Sequence, residues 1–99
     1  MPAYAIGVYD IWNADWRDEY RPKTIALVAK HGGRFLVRPN CRVTLLEGKP
    51  SIKTGMVVIE FPSRHAALAW YDDPDYQPLK KMRQTGSQLD FVLVDGLET

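Results

Sequence analysis

The chain has a single cysteine, Cys41, among 99 residues, so it forms no disulfide within itself and carries no Cys-X-X-Cys metal or redox motif. No apolar stretch approaches the roughly 20 residues of a membrane span. The opening Met1-Pro2-Ala3-Tyr4 lacks the basic region and long apolar run of a signal peptide. These absences point to the cytoplasm and to no membrane partner. An excess of charge is missing too: 13 Lys/Arg against 12 Asp/Glu leave +1, too weak a field to recruit nucleic acid or anionic lipid. Histidine is scarce. His31 and His65 are the only two, and no Asp, Glu or Cys stands at ligand spacing to either, so no metal site and no metal cofactor is expected. The serines sit outside any Gly-X-Ser-X-Gly elbow, which removes the sequence support for a hydrolase triad. Gly32-Gly33 follows a helical pattern instead of opening one, so no phosphate-cradling loop is present.

What remains is ordinary globular material. Hydrophobic residues make up 45% and charged residues 25%, values of a packed domain. One domain spans residues 1–99, since single domains run about 100–150 residues. A monomer of this mass exposes about 5,700 Å² when folded against about 16,000 Å² unfolded, enough for one thin core.

Ala3-Tyr4-Ala5-Ile6-Gly7-Val8-Tyr9 is apolar on both alternating sets, the mark of a strand covered on both faces. Asn13 or Asp15 can cap a helix carrying Trp16, Tyr20, Leu27, Val28 and His31 at helical spacing, with Pro22 expected to kink or divide it. Gly32 suits the left-handed residue beyond its end. Arg34-Phe35-Leu36-Val37-Arg38 reads as a short strand, broken by Pro39-Asn40. Val43 to Glu47 reads as extended, and Gly48-Lys49-Pro50-Ser51 as a turn. Gly55 to Phe61 is the strongest strand. Ser63 caps the next helix, which buries Ala67, Trp70 and Tyr71. Asp73-Pro74 starts a shorter helix with Tyr76, Leu79 and Met82 inward, and Leu89 to Val94 is the last strand.

Strand, helix, strand, strand, helix pair, strand is a split β-α-β order: an α+β, ferredoxin-like antiparallel sheet with helices on one face. The helices cover one side of the sheet, yet its strands carry apolar groups for two. The uncovered side amounts to several hundred Å², which monomers rarely expose. Covering it is worth on the order of 10 kcal/mol before the entropy of association is deducted. A homodimer stacked through the open sheet face is the simplest cover.

Gly32-Gly33-Arg34-Phe35-Leu36-Val37-Arg38, Leu46-Glu47-Gly48, Val58-Ile59-Glu60-Phe61-Pro62-Ser63 and Ala69-Trp70-Tyr71, followed by Pro74 and Tyr76, together resemble the domain-of-unknown-function 1330 family over nearly the whole chain. The resemblance implies the dimeric α/β-barrel superfamily, in which two sheets face each other across the dimer axis. It implies no fixed activity, because the wider superfamily includes cofactor-free monooxygenases of aromatic polyketides, isomerases, haem proteins and stress-induced dimers. This sequence departs from the family pattern at Pro39-Asn40, where two glycines usually follow the arginine, and at Pro22.

Glu60 alternates with Met56 and Val58 in a strand buried on both sides, so its carboxylate needs a cation or a polar cavity, and Arg38 and Arg83 are the partners expected. Either arginine can instead hold a ligand carboxylate or phenolate through its planar fork. His31 has the chemistry of a general base, although a cation at the helix C-terminus is its plainer role. Trp12, Trp16, Tyr20, Trp70, Tyr71 and Tyr76 form an aromatic layer, mostly core, in which Tyr20, Trp70 and Tyr76 can shape a cleft for a flat ligand. The stretch from Arg34 to Lys53 holds five basic residues and one acid, but it lacks the aromatic signature of an RNA-binding strand. The expectation is a small organic acid or aromatic ligand between sheet and helices. It places Arg38 or Arg83 on the anion, Tyr20, Trp70 and Tyr76 around it, and His31 or Glu60 at any proton transfer. The rival is a non-catalytic dimer whose cleft its own side chains fill. A cleft of about 300 Å³ or more separates the first from the second.

Overall fold

Two-faced apolar strands and one-faced helices assemble here so that the helices cover one face of the sheet. A computed structural model describes residues 1–48 and 55–97. The chain runs β1 (Ala3–Ile11), α1 (Arg17–Lys30), β2 (Arg34–Val37), β3 (Gly55–Phe61), α2 (Arg64–Asp72), α3 (Tyr76–Gln84) and β4 (Ser87–Asp95). The strands form one antiparallel sheet in the order β2-β3-β1-β4, the ferredoxin-like arrangement. None of the described helices is long and apolar enough to cross a membrane.

Register assigns each side chain its face. On the helix side, β1 presents Ala3, Ala5, Gly7 and Tyr9, flanked by Val57, Ile59 and Phe61 of β3 and by Leu89, Phe91 and Leu93 of β4. The small residues of the central strand leave room for large rings above it. Trp70 of α2 fills that room, 5.4 Å from Phe61 and 4.5 Å from Tyr76 between ring centroids. Leu27, Val28, Ala67 and Leu79 close the same core.

The opposite face carries Tyr4, Ile6 and Val8 of β1, Met56 and Val58 of β3, and Val92 and Val94 of β4. Val92 is 58% exposed and Val94 41%. All three helices pack on the other side, and the molecule is a slab of 34 × 31 × 16 Å.

Local signals act largely as their chemistry demands. Ser63 Oγ accepts from the Ala66 N–H at 3.1 Å and caps α2. Gly32 takes φ +79 just past α1, where a side chain would be strained.

Four expectations are corrected. Pro22 does not divide α1, which runs unbroken from Arg17 to Lys30. Neither Asn13 nor Asp15 is its N-cap. Trp16 occupies that position, and Asn13 Oδ1 accepts from the Asp15 N–H in the turn before it. Asp73-Pro74 does not start α3: Asp73 Oδ1 and main-chain oxygen accept from the N–H groups of Asp75 and Tyr76, a turn that delays the helix to Tyr76. Val43 to Glu47 pairs with no strand. Of the predicted turn, Gly48 has φ +86, while residues 49–51 lie outside the described residues.

Candidate functional site

The first half of α1 is held open against the sheet by the turn that precedes it. Gly86, between α3 and β4, accepts from the N–H groups of both Trp12 and Asn13 at 3.0 and 3.1 Å. That anchor sets Trp16 against Tyr9 and Tyr20, with ring centroids 6.5 and 5.1 Å away. Trp16, Tyr20 and Thr24 follow at four-residue intervals, one stripe of the helix facing inward.

Between this stripe and the sheet lies a cavity. Its floor is Tyr9, Val57, Ile59, Phe35 and Phe91, its inner end is Trp70, and its mouth is formed by Arg17, Arg21 and the Arg38-Pro39-Asn40 turn. The Cys41 N–H donates to the Arg38 main-chain oxygen at 2.9 Å and closes that turn. Gly55 fits beneath it, and a Cβ there would overlap the Pro39 carbonyl. The cavity volume is about 50 Å³, room for only a few waters. Among the described residues three arginines line it and no carboxylate does.

Behind the cavity sits a buried cation. Tyr76, Leu79 and Arg83 are the inward residues of α3, and Arg83 is 3% exposed. Tyr20 Oη and Tyr76 Oη lie 2.9 Å apart, joining α1 to α3. Burial pushes the phenols of Tyr9 and Tyr76 well above the usual range, so both stay neutral. Burial alone would lower the Arg83 pKa, but the hydroxyls of Tyr76, Tyr20 and Tyr9 more than offset it and the guanidinium stays charged.

The expected site residues therefore separate. Tyr20, Arg38 and Trp70 line the cavity, while Tyr76 and Arg83 form the layer behind it. Glu60 is on the far side of the sheet. Its partner is neither Arg38 nor Arg83 but Arg34, whose Nε donates to Oε1 at 2.9 Å, because the pairing of β2 with β3 sets Arg34 opposite Glu60. Tyr4, the other neighbour of Glu60 across the sheet, has its phenol pKa raised by burial and by that carboxylate.

His31 stands at the other end of α1, where Nε2 lies 2.8 Å from Asp73 Oδ2. Lys30 Nζ donates to the same oxygen at 3.4 Å. Its neighbours hold the Asp73 carboxyl down at about 2, chiefly His31 and then the Asp75 N–H. Trp12 leaves the aromatic layer altogether at 63% exposure. Among the described residues no group of three metal-ligating side chains occurs. The sequence reading missed Arg17, Arg21 and Thr24, although the repeats 16-20-24 and 17-21 carry the signal.

Solved structures with this architecture span the whole chain. The RPA0582 protein of Rhodopseudomonas palustris, of unknown function, superposes with a TM-score of 0.77 at 16% identity, over 99% of this chain and 84% of the other. SnoaB of Streptomyces nogalater, a cofactor-independent oxygenase, gives 0.63 at 17% identity over 99% and 95%. A DABB family protein of Mesorhizobium loti with a ferredoxin-like fold gives 0.56 at 13% identity over 98% of both chains. No curated protein matches the sequence. Residues 2–97 match the model of the domain of unknown function DUF1330, and the chain belongs to that family.

Proposed function

We propose that the protein binds a small, flat organic acid or aromatic compound in the cavity between α1 and the sheet, and does so as a homodimer stacked through its open sheet face. One observation carries the ligand reading: the cavity has a ring-lined floor and three arginines, Arg17, Arg21 and Arg38, with no acid among its lining residues. Rings and aliphatic groups supply apolar contact, and the arginine forks supply charge and geometry. Tyr20 and Trp70 shape the ligand, and Tyr76 fixes Tyr20 from behind. His31 and Glu60 have no part in it, since each is engaged elsewhere. With no disulfide possible within the chain, the proposal places the protein in the cytoplasm.

The dimer reading is supported by area. The folded chain exposes 6483 Å², against about 5,700 Å² for a monomer of its mass. Part of that surplus is the open sheet face, where Val92 is 58% exposed and Val94 41%. An enzymatic form of the proposal, a cofactor-free monooxygenase or isomerase of aromatic substrates, is supported by the fold shared with a cofactor-independent oxygenase.

A second reading has its own observation. At about 50 Å³ the cavity is well below the roughly 300 Å³ of ordinary ligand pockets, which favours a non-catalytic dimer with a filled cleft. A thermal-shift screen of aromatic and aliphatic acids decides between them. A ligand at 100 times its Kd adds about 2.7 kcal/mol to stability, and Arg38→Ala is expected to abolish the shift while leaving the unliganded Tm within a few degrees. No shift with any acid favours the second reading, and loss of fold in Arg38→Ala makes Arg38 a structural residue.

A further inference from the structure

Four buried side-chain atoms have no hydrogen-bond partner among the described residues: Trp16 Nε1, Thr24 Oγ1, Trp70 Nε1 and Arg83 Nε. They are not scattered. Trp16, Thr24 and Trp70 all line the cavity just described, at 8%, 2% and 2% exposure. Arg83 does not line it, but its charge is felt by Tyr9 and Tyr20, which do. Native interiors satisfy the great majority of such groups, because a donor buried without an acceptor is a standing cost to the fold. The set is also one-sided. An indole N–H and a guanidinium N–H can only donate, and a hydroxyl can do either. Among the described residues no carboxylate, which only accepts, lines the cavity to receive them.

Resting on the reading of this cavity as a ligand site, we infer that its inner end recognises an anionic oxygen on a planar ring, a carboxylate or phenolate. Trp16, Thr24 and Trp70 are the residues that select it, and Arg83 is the buried countercharge. The ligand thus enters oxygen first, toward the indoles, and Arg17, Arg21 and Arg38 at the mouth steer it in. Burial raises the phenol pKa of Tyr9 and Tyr76 beside Arg83, so these two bring no competing negative charge. The site discriminates by hydrogen-bond polarity: an acceptor-only head group fits, and a donor-only group of the same shape leaves every unpartnered donor unmet and adds a like charge beside Arg83.

Benzoate, benzamide and benzamidinium share one ring and one planar head-group shape, and they differ in polarity from acceptor-only to donor-only. Titration of each into ¹⁵N-labelled protein, followed through the three tryptophan indole resonances, tests the inference. Trp12, largely exposed, serves as the internal control. Benzoate is expected to move the Trp16 and Trp70 indole protons downfield and leave Trp12 in place. Benzamide is expected to bind at least about tenfold more weakly, the worth of one hydrogen bond to a charged group, and benzamidinium not to register. Thr24→Val keeps the shape of the side chain and removes its hydroxyl. It is expected to weaken benzoate about tenfold without lowering the Tm of the unliganded protein. If all three probes bind alike and the buried indoles do not respond, the site reads ring shape alone: the inference fails and the ligand reading stands. If none binds at millimolar concentration while water saturates the indole donors, both fail together.

Discussion

Asp73 shows how one residue can look like a helix cap in sequence and serve as a junction in space. It is 8% exposed and receives His31, Lys30 and the Asp75 N–H, tying the end of α1 to the α2–α3 turn. Its carboxyl pKa is lowered from 3.8 to about 2, so the contribution of this ion cluster is complete above about pH 4 and is lost as pH falls toward 2. Asp73→Asn is therefore expected to be less stable than the parent at pH 7, with the gap narrowing between pH 4 and pH 2. Urea unfolding at a series of pH values measures it, and a gap that stays constant across that window overturns the assignment. The residue scale is also where sequence reading fell short. His31 and Asp73 are 42 positions apart, and nothing local announces that they meet. Glu60 was legible as a charge needing a cation, but its partner was set by strand pairing, which favoured Arg34 over the two arginines named for it.

At the scale of elements, α1 tolerates what its sequence argues against. Pro22 is the sixth residue of the helix, where it removes the bond to the Asp18 carbonyl. The helix persists because its inward stripe of Trp16, Tyr20, Thr24, Leu27 and Val28 packs on the sheet, and tertiary burial outweighs one lost backbone bond. Pro22 itself is exposed. Pro22→Ala is expected to stabilise the protein by about 1–2 kcal/mol, the helix penalty of proline less its restriction of the unfolded chain. Equilibrium denaturation checks the sign, and a destabilised variant would show that proline's geometry is needed at the cavity mouth beside Arg21. The strands were more transparent. Their two-sided apolar pattern identified β1, β3 and β4 within a few residues, because period-two alternation is imposed by backbone geometry alone. Val43 to Glu47 has strand-forming residues, but the strand requires a neighbour to pair with and none of the sheet edges takes it.

For the whole molecule, the slab shape states the problem that the proposed dimer would solve. One face of the sheet is sealed by three helices, and the other leaves Ile6, Val8, Met56, Val58, Val92 and Val94 without a layer above them. Val92→Asp places a charge on the β4 side of that face at a position 58% exposed in the single chain, so it costs the fold little and the proposed interface much. Sedimentation at micromolar concentration is expected to give twice 11.3 kDa for the parent and 11.3 kDa for the variant. A parent that sediments as a single chain without aggregating removes the stacked dimer.

The sequence by itself determined the element order, the ferredoxin-like topology and the surplus apolar face, because alternation, helical spacing and turn chemistry are local properties that survive without knowledge of contacts. It also named Tyr20, Arg38 and Trp70 from residue type and spacing. Only the tertiary structure decided which of the candidate groups share a space. Register put Glu60 on one side of the sheet and the cavity on the other, helix length carried His31 away from the mouth, and packing left Trp16, Thr24 and Trp70 around one hollow with their donors unmet. Those outcomes depend on pairings between residues far apart in the chain, and such pairings are settled by the burial of the whole.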